Sequence, residues 1–193
     1  MKYYKILNKE ENHHGFQYKT GLNIDTIKFN PVGSCEEGGL YFSRKDIFAF
    51  LDCGSCLRKV TLPKDAKVYK DPKSPEKWKA DKIILGKREK ITLKVIKRLV
   101  KEGADIHANN DLALRLASYN GYLGIVKYLV SKGADIHVFD DYALIWASRN
   151  GHLSVVKYLV SKGADIHADK DYALIWASRN GHLSVVKYLK SIK

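Results

Sequence analysis

Apolar residues are spaced differently in the two parts of this chain. Beyond about residue 90 they recur three and four positions apart in short blocks, the spacing that places them along one side of a helix. Before about residue 86 they fall in brief runs bounded by Gly, Pro and Asn, as strands and turns do. The helical part repeats itself. Asp141 to Leu159 reads DYALIWASRNGHLSVVKYL, and Asp171 to Leu189 is identical. VSKGADIH occurs at Val130 to His137 and again at Val160 to His167, and the glycines Gly103, Gly133 and Gly163 step by 30 residues.

Each unit predicts two short helices. Asp141 is placed to cap the first, its carboxylate accepting a free N–H of the opening turn. Ala143, Leu144, Ala147 and Ser148 share one side of that helix, and Asn150-Gly151 ends it. The second helix is expected over about Leu153 to Lys162, with Val155, Val156, Leu159 and Val160 on one side and Gly163 at a left-handed C-cap. One pair this short cannot bury its apolar face, so stacking of copies into a solenoid is implied. Ile91 to Glu102 (ITLKVIKRLVKE) aligns with the second helix alone and is an N-terminal half-repeat. In the last copy Lys190 replaces Val130 and Val160, a polar change suited to a terminal cap.

These units resemble ankyrin repeats. GHLSVVKYLVSKGADI is similar to the family's second helix and turn, and WASRNGH stands where the family has its LAA-x-x-GH segment. Two departures stand out. Tyr142-Ala143-Leu144-Ile145 replaces the Thr-Pro-Leu-His signature, and the stretch from Asp165 to Ala177 is shorter than usual, so blunt loops are expected in place of hairpin fingers. The DYAL and WAS wording looks most like the ankyrin proteins of giant DNA viruses of the mimivirus group. The fold expected is mainly α: a short ankyrin-like α-solenoid of 30-residue helix pairs with a small N-terminal α+β domain. Residues 1–86 form that module and 87–193 the array, with a half-repeat at 87–107 and repeats from about 108, 138 and 168.

The resemblance implies that a partner protein is gripped by exposed first-helix positions and inter-repeat loops. The matching helix positions are Tyr119, Asn120, Arg149, Asn150, Arg179 and Asn180; the loop positions include Asn110, Asp111, Phe139, Asp140, Asp169 and Lys170. Arg and Tyr suit such a role because each joins a large contact area to directional hydrogen bonds. The bland alternative is an ordinary surface repeated by duplication. Trp146 and Trp176 are expected to pack between neighbouring units. His152 and His182 match the position of a structural hydrogen-bonding His in the family. His107, His137 and His167 recur about 10 Å apart, too far to share a metal whose ligands stand about 2 Å away. Lys127, Lys157 and Lys187 make a solvated outer stripe.

In the N-terminal module, Tyr3 to Leu7, Gly39 to Phe42, Leu57 to Leu62 and Ala66 to Tyr69 read as strands. Asp46 to Leu51 reads as one or two helical turns capped by Ser43 or Asp46, and Ile83 to Leu85 as a last strand or the lead-in to the array. The module is expected to pack on the half-repeat. Cys53-Gly54-Ser55-Cys56 has zinc-knuckle spacing, but a four-ligand site would need Cys35 and His13 or His14 as well. Neither a metal nor a cofactor is expected. His14-Gly15, Gly21-Leu22 and Gly39 to Ser43 loosely resemble ADP-ribosyltransferase-like folds, without an acidic catalytic motif. Walker, HExxH, GxSxG and dinucleotide motifs do not occur.

The net charge of +13 leaves nucleic acid as an alternative partner. Lysines are spread along the whole chain with no basic block, which weakens that alternative. Three cysteines and the lack of an N-terminal apolar segment point to a reducing, intracellular setting, the host cytoplasm or virion if the protein is viral. No membrane partner is expected, and the function read from the chain is a non-enzymatic adaptor or scaffold.

Overall fold

The computed structural model describes residues 2–13, 15–31, 37–73 and 75–192. The chain forms two compact units, Met1–Asn109 and Asn110–Lys193.

The first unit is built on strands β1 (Tyr3–Leu7), β2 (Asn12–His13), β3 (Phe16–Gln17), β4 (Gly21–Ile24), β5 (Leu40–Phe42), β6 (Cys56–Thr61), β7 (Val68–Lys70), β8 (Trp78–Ala80) and β9 (Lys82–Lys90). One antiparallel sheet has the order β1-β6-β9-β4 and a second has β5-β8-β7, with β2 and β3 as a small hairpin. Alternation orients β9: Ile83 and Leu85 are buried while Ile84 between them is exposed. Leu7, Tyr18, Leu40, Phe42, Val60 and Ala80 join them in one core. Arg58 on β6 is buried and reaches Glu11 with two guanidinium N–H groups, Thr20 Oγ1 at 2.9 Å and the Gly86 carbonyl at 2.6 Å. Every charged edge is thereby satisfied, as burial requires. The Arg58 hydrogen bonds hold the Glu11 carboxyl below its ordinary pKa.

Ile83 to Leu85 belongs to a strand that continues across position 86 to Lys90. Residues Ile47–Cys53 form a 3-10 helix, but neither expected cap acts on it. The Ser43 hydroxyl donates to the Glu76 carbonyl at 2.7 Å, and the Asp46 carboxylate accepts the Glu76 N–H at 2.7 Å. The strong local acceptors are taken by a loop distant in sequence.

Helix α1 (Leu93–Lys101), in the segment read as a half-repeat, is bound into this unit. Thr92 caps it, accepting the Val95 N–H. Glu102 takes hydrogen bonds from Lys2 and Tyr4, Arg98 forks onto Glu89 at 2.7 and 3.0 Å, and the Asp105 N–H donates to the Lys45 carbonyl at 2.8 Å.

The second unit carries the helix pairs α2 (Ala108–Tyr119) with α3 (Leu123–Ser131), α4 (Val138–Arg149) with α5 (Leu153–Ser161), and α6 (Ala168–Arg179) with α7 (Leu183–Ser191). Val155, Val156 and Leu159 are fully buried, as are Ala143, Leu144, Ala147 and Ser148 on α4. No strand occurs among its described residues. Where ankyrin fingers would stand, three consecutive residues per repeat take the left-handed conformation: Asn109 to Asp111, Phe139 to Asp141, and Asp169 to Asp171, all with φ between 47° and 63°. Asn and Asp tolerate that region best among residues with a Cβ, and they fill most of these places.

This geometry corrects the role expected of Asp141. It has φ 59° and ψ 36° instead of the extended backbone of an N-cap, and no side-chain cap bond closes α4. Its buried carboxylate instead faces His137 Nδ1 at 3.0 Å. Burial raises its pKa above the ordinary carboxylate range, against the opposing pull of His137.

Neighbouring repeats interlock through their histidines. His152 Nε2 stands 2.9 Å from the Tyr119 carbonyl and His182 Nε2 2.9 Å from the Arg149 carbonyl, so each ring is the donor through that nitrogen. The imidazoles lie so close over the preceding Asn-Gly that a Cβ on Gly121 or Gly151 would meet the ring at 2.5 Å.

Two predictions follow from these contacts. Gly151 and Gly181 both have φ near +73° (74° and 72°), but only Gly151 is covered by a histidine. Ala at either site bears the left-handed strain of about 1 kcal/mol. Gly151→Ala should lose roughly 1–3 kcal/mol more than Gly181→Ala, the cost of forcing the ring away, as read by denaturant unfolding. The second concerns Lys5, which is buried with its ammonium on the Tyr41 carbonyl at 2.7 Å and over the Tyr18 ring at 4.5 Å. Burial lowers its pKa to about 8, so from there toward the unfolded value of 10.5 the unfolded chain holds more protons. Stability should therefore rise with pH between about 8 and 9, below the range where the raised pKa values of buried Tyr4 and Tyr18 act in the opposite sense, and Lys5→Met should abolish that rise in urea titrations.

Candidate partner-binding face

The offset between repeats places residue 119 or 149 of one first helix beside the Trp of the next. Tyr119 meets Trp146 edge-on at 5.6 Å, and the Arg149 guanidinium lies over the Trp176 ring at 4.7 Å. Arg179, one helical turn beyond Trp176, covers the same ring at 5.3 Å. Arg115 reaches over both Phe139, at 5.0 Å, and Trp146, at 5.8 Å, while Tyr142 leans on Trp146 at 5.1 Å. The result is a stripe of alternating rings and guanidiniums along α2, α4 and α6. Trp146 and Trp176 do pack between neighbouring repeats, and both remain half-buried, so one side of each indole belongs to the surface.

Tyr119, Arg149 and Arg179 are exposed on this stripe, and Phe139 is exposed at 55%. Among the described residues neither Arg149 nor Arg179 forms an ion pair. The asparagines are engaged differently. Asn120 Nδ2 donates to the Leu116 carbonyl and Asn150 Nδ2 to the Trp146 carbonyl, both at 2.8 Å, while Asn180 Nδ2 crosses to the Arg149 carbonyl at 2.9 Å. Their amides close helix ends. Asn110, Asp140, Asp169 and Lys170 are exposed on the left-handed turns, whereas Asp111 is buried. Arg115 and Tyr142 went unnoticed in the sequence. The signal for Arg115 was its position, since the other repeats have Ile145 and Ile175 there.

On the second helices, Lys127 and Lys157 place their ammonium groups over Tyr158 and Tyr188 of the next repeat, at 5.7 and 5.4 Å. Among the described residues no group of three or more His, Cys, Asp or Glu could hold a metal ion. Cys56 Sγ accepts from Arg88 Nε at 3.0 Å, and Cys53 lies beside Asp52. Cys35 and His14 fall outside the described residues. In the first unit a cavity of about 150 Å³ and a cleft of about 750 Å³ both have His13 and Tyr41 in their walls. No helix among the described residues is long and apolar enough to cross a membrane.

Comparison with known proteins agrees with this architecture. A family model for ankyrin repeats in three copies matches residues 137–193, and a single ankyrin repeat model matches 109–141. Ankyrin repeat protein R229 of Acanthamoeba polyphaga mimivirus is 45% identical over 56% of this chain, and ankyrin repeat protein R868 of the same virus is 42% identical over 64%. The chain spans 38% and 63% of the lengths of those two relatives. It covers 93% of a third, uncharacterized protein R869 of that virus, at 44% identity over 64% of this chain. The chain belongs to the ankyrin-repeat family. A role in protein–protein interaction, in general terms, comes with that membership. The matches support neither nucleic-acid binding nor ADP-ribosyl transfer.

Arg149 is held on Trp176 by an exposed cation–π contact of about 0.5–1 kcal/mol. Arg149→Ala should change the tryptophan emission spectrum while lowering stability by no more than about that amount in denaturant titration.

Proposed function

We propose that this protein is a non-catalytic adaptor or scaffold that grips a partner protein with the first-helix face of its repeats. The observation that carries the proposal is the recurrence of Tyr119, Arg149 and Arg179 at one repeat position, each exposed and each packed on a tryptophan. Pre-positioned Arg, Tyr and Trp side chains make strong binding determinants because little rotamer freedom remains to be lost on contact. Phe139, Asp140 and Lys170 on the left-handed turns extend the surface on one side, and Asn120, Asn150 and Asn180 hold the helix ends that frame it. In this reading the array from residue 87 is the interacting part. The α+β module of residues 1–86 serves it by holding the half-repeat helix α1. Its relatives belong to a virus that multiplies inside a cell, and an intracellular site of action accords with them.

The test uses the full chain as bait in a host-cell extract, beside the double variant Arg149→Ala/Trp176→Ala and the outer-face double variant Lys127→Ala/Lys157→Ala. A protein retained by the wild type should be lost with the first variant and kept with the second. Retention by all three would remove the first-helix face from binding.

A further inference from the structure

The chemistry left exposed on the first-helix face is not that of a stacking platform. Trp176 is covered by the guanidiniums of Arg149 and Arg179, and Trp146 is approached by Arg115, Tyr119 and Tyr142. Guanidiniums at these distances compete for the ring faces that a flat base or a further aromatic would need. What remains is the hydrogen-bonding edge of two guanidiniums, each steadied against an indole. Among the described residues neither has a carboxylate of this protein within 4.0 Å. The exposed acids of the same unit, Asp135, Asp140, Asp165 and Asp169, form no ion pair with them.

We infer that this face takes an acidic segment of its partner, with two carboxylate side chains bound to Arg149 and Arg179. This rests on the face being the binding surface, as proposed above. The supporting argument is charge complementarity. A guanidinium presents paired parallel N–H donors that match a carboxylate, and a planar group already fixed on a ring gives up less freedom in binding than a free one. The two guanidiniums lie 4.7 and 5.3 Å from the centroid of the same Trp176 ring, and so stand no more than about 10 Å apart. A helix carrying carboxylates at positions i and i+7 spans about 10.5 Å and would meet both. The lysines on the second helices occupy another face and offer single, strongly hydrated charges, which select less sharply for a carboxylate.

The experiment titrates the full chain with a synthetic Glu/Ala peptide that contains no aromatic residue, and compares a Lys/Ala peptide and an oligothymidine strand. Binding is followed in the Trp78→Phe protein, where emission comes from Trp146 and Trp176 alone, and by calorimetry on the unaltered chain. The Glu/Ala peptide should bind saturably and change the emission. Arg149→Gln/Arg179→Gln should weaken it about tenfold or more, a loss of roughly 1.4 kcal/mol. Lys127→Gln/Lys157→Gln removes the same charge elsewhere and should weaken it no more than about twofold, roughly 0.4 kcal/mol. Equal loss in both pairs, equal binding of the Lys/Ala peptide, or stronger binding of the oligothymidine would each overturn the inference. If the Glu/Ala peptide does not bind but capture of a partner still depends on Arg149 and Trp176, the acidic assignment falls and the binding face stands. If capture is also insensitive to those residues, both fall together.

Discussion

Each helix pair in the array is too short to enclose its own apolar face, and the resulting need for a neighbour organises the second unit. Stacking buries Leu144, Val155, Val156 and Leu159 completely. It is held in register by polar contacts that cross from one repeat to the next: the histidine rings on the Tyr119 and Arg149 carbonyls, and the Asn180 amide on the Arg149 carbonyl. An apolar surface alone would permit sliding. A hydrogen bond from a ring lying directly on Gly121 or Gly151 admits one offset, because any side chain there would collide with it.

That offset also creates the surface. Position 149 of one repeat falls on Trp176 of the next, and Tyr119 falls on Trp146 by the same translation. The stripe of rings and guanidiniums is thus a product of core geometry, built by side chains that are half inside it. The left-handed turns belong to the same economy of length. Three residues with φ near +50° reverse the chain in little space, and the prevalence of Asn and Asp there limits the strain. With the fingers reduced to these turns, the first helices carry most of the exposed chemistry.

The first unit was less legible, for reasons that can be named. β1, β5, β6 and β7 match the runs read from the sequence to within a residue or two, because each joins apolar alternation to flanking turn residues. β4 and β8 passed unnoticed: Gly21 to Ile24 and Trp78 to Ala80 are short, and their pairings with β9 and β5 span long stretches of sequence. The caps assigned to Ser43 and Asp46 failed in the same way, since the Glu76 backbone takes both side chains. Arg58 and Glu11 gave no local sign that they would meet in the interior.

The 30-residue period, the buried side of the repeat helices, the glycines that end them and the helix within Ile91 to Glu102 were all present in the sequence, because each depends on residues a few positions apart. Tertiary structure alone decided what those same residues become. Asp141 to Leu159 and Asp171 to Leu189 are identical, yet Leu144 and Ser148 are completely buried while Leu174 is half-buried and Ser178 exposed. The difference is a following repeat, which the first copy has and the second, within this chain, has not. For the same reason the rings set on Gly121 and Gly151, and Arg149 laid on Trp176, could not be read from any one repeat. Each is a contact across the stacking offset.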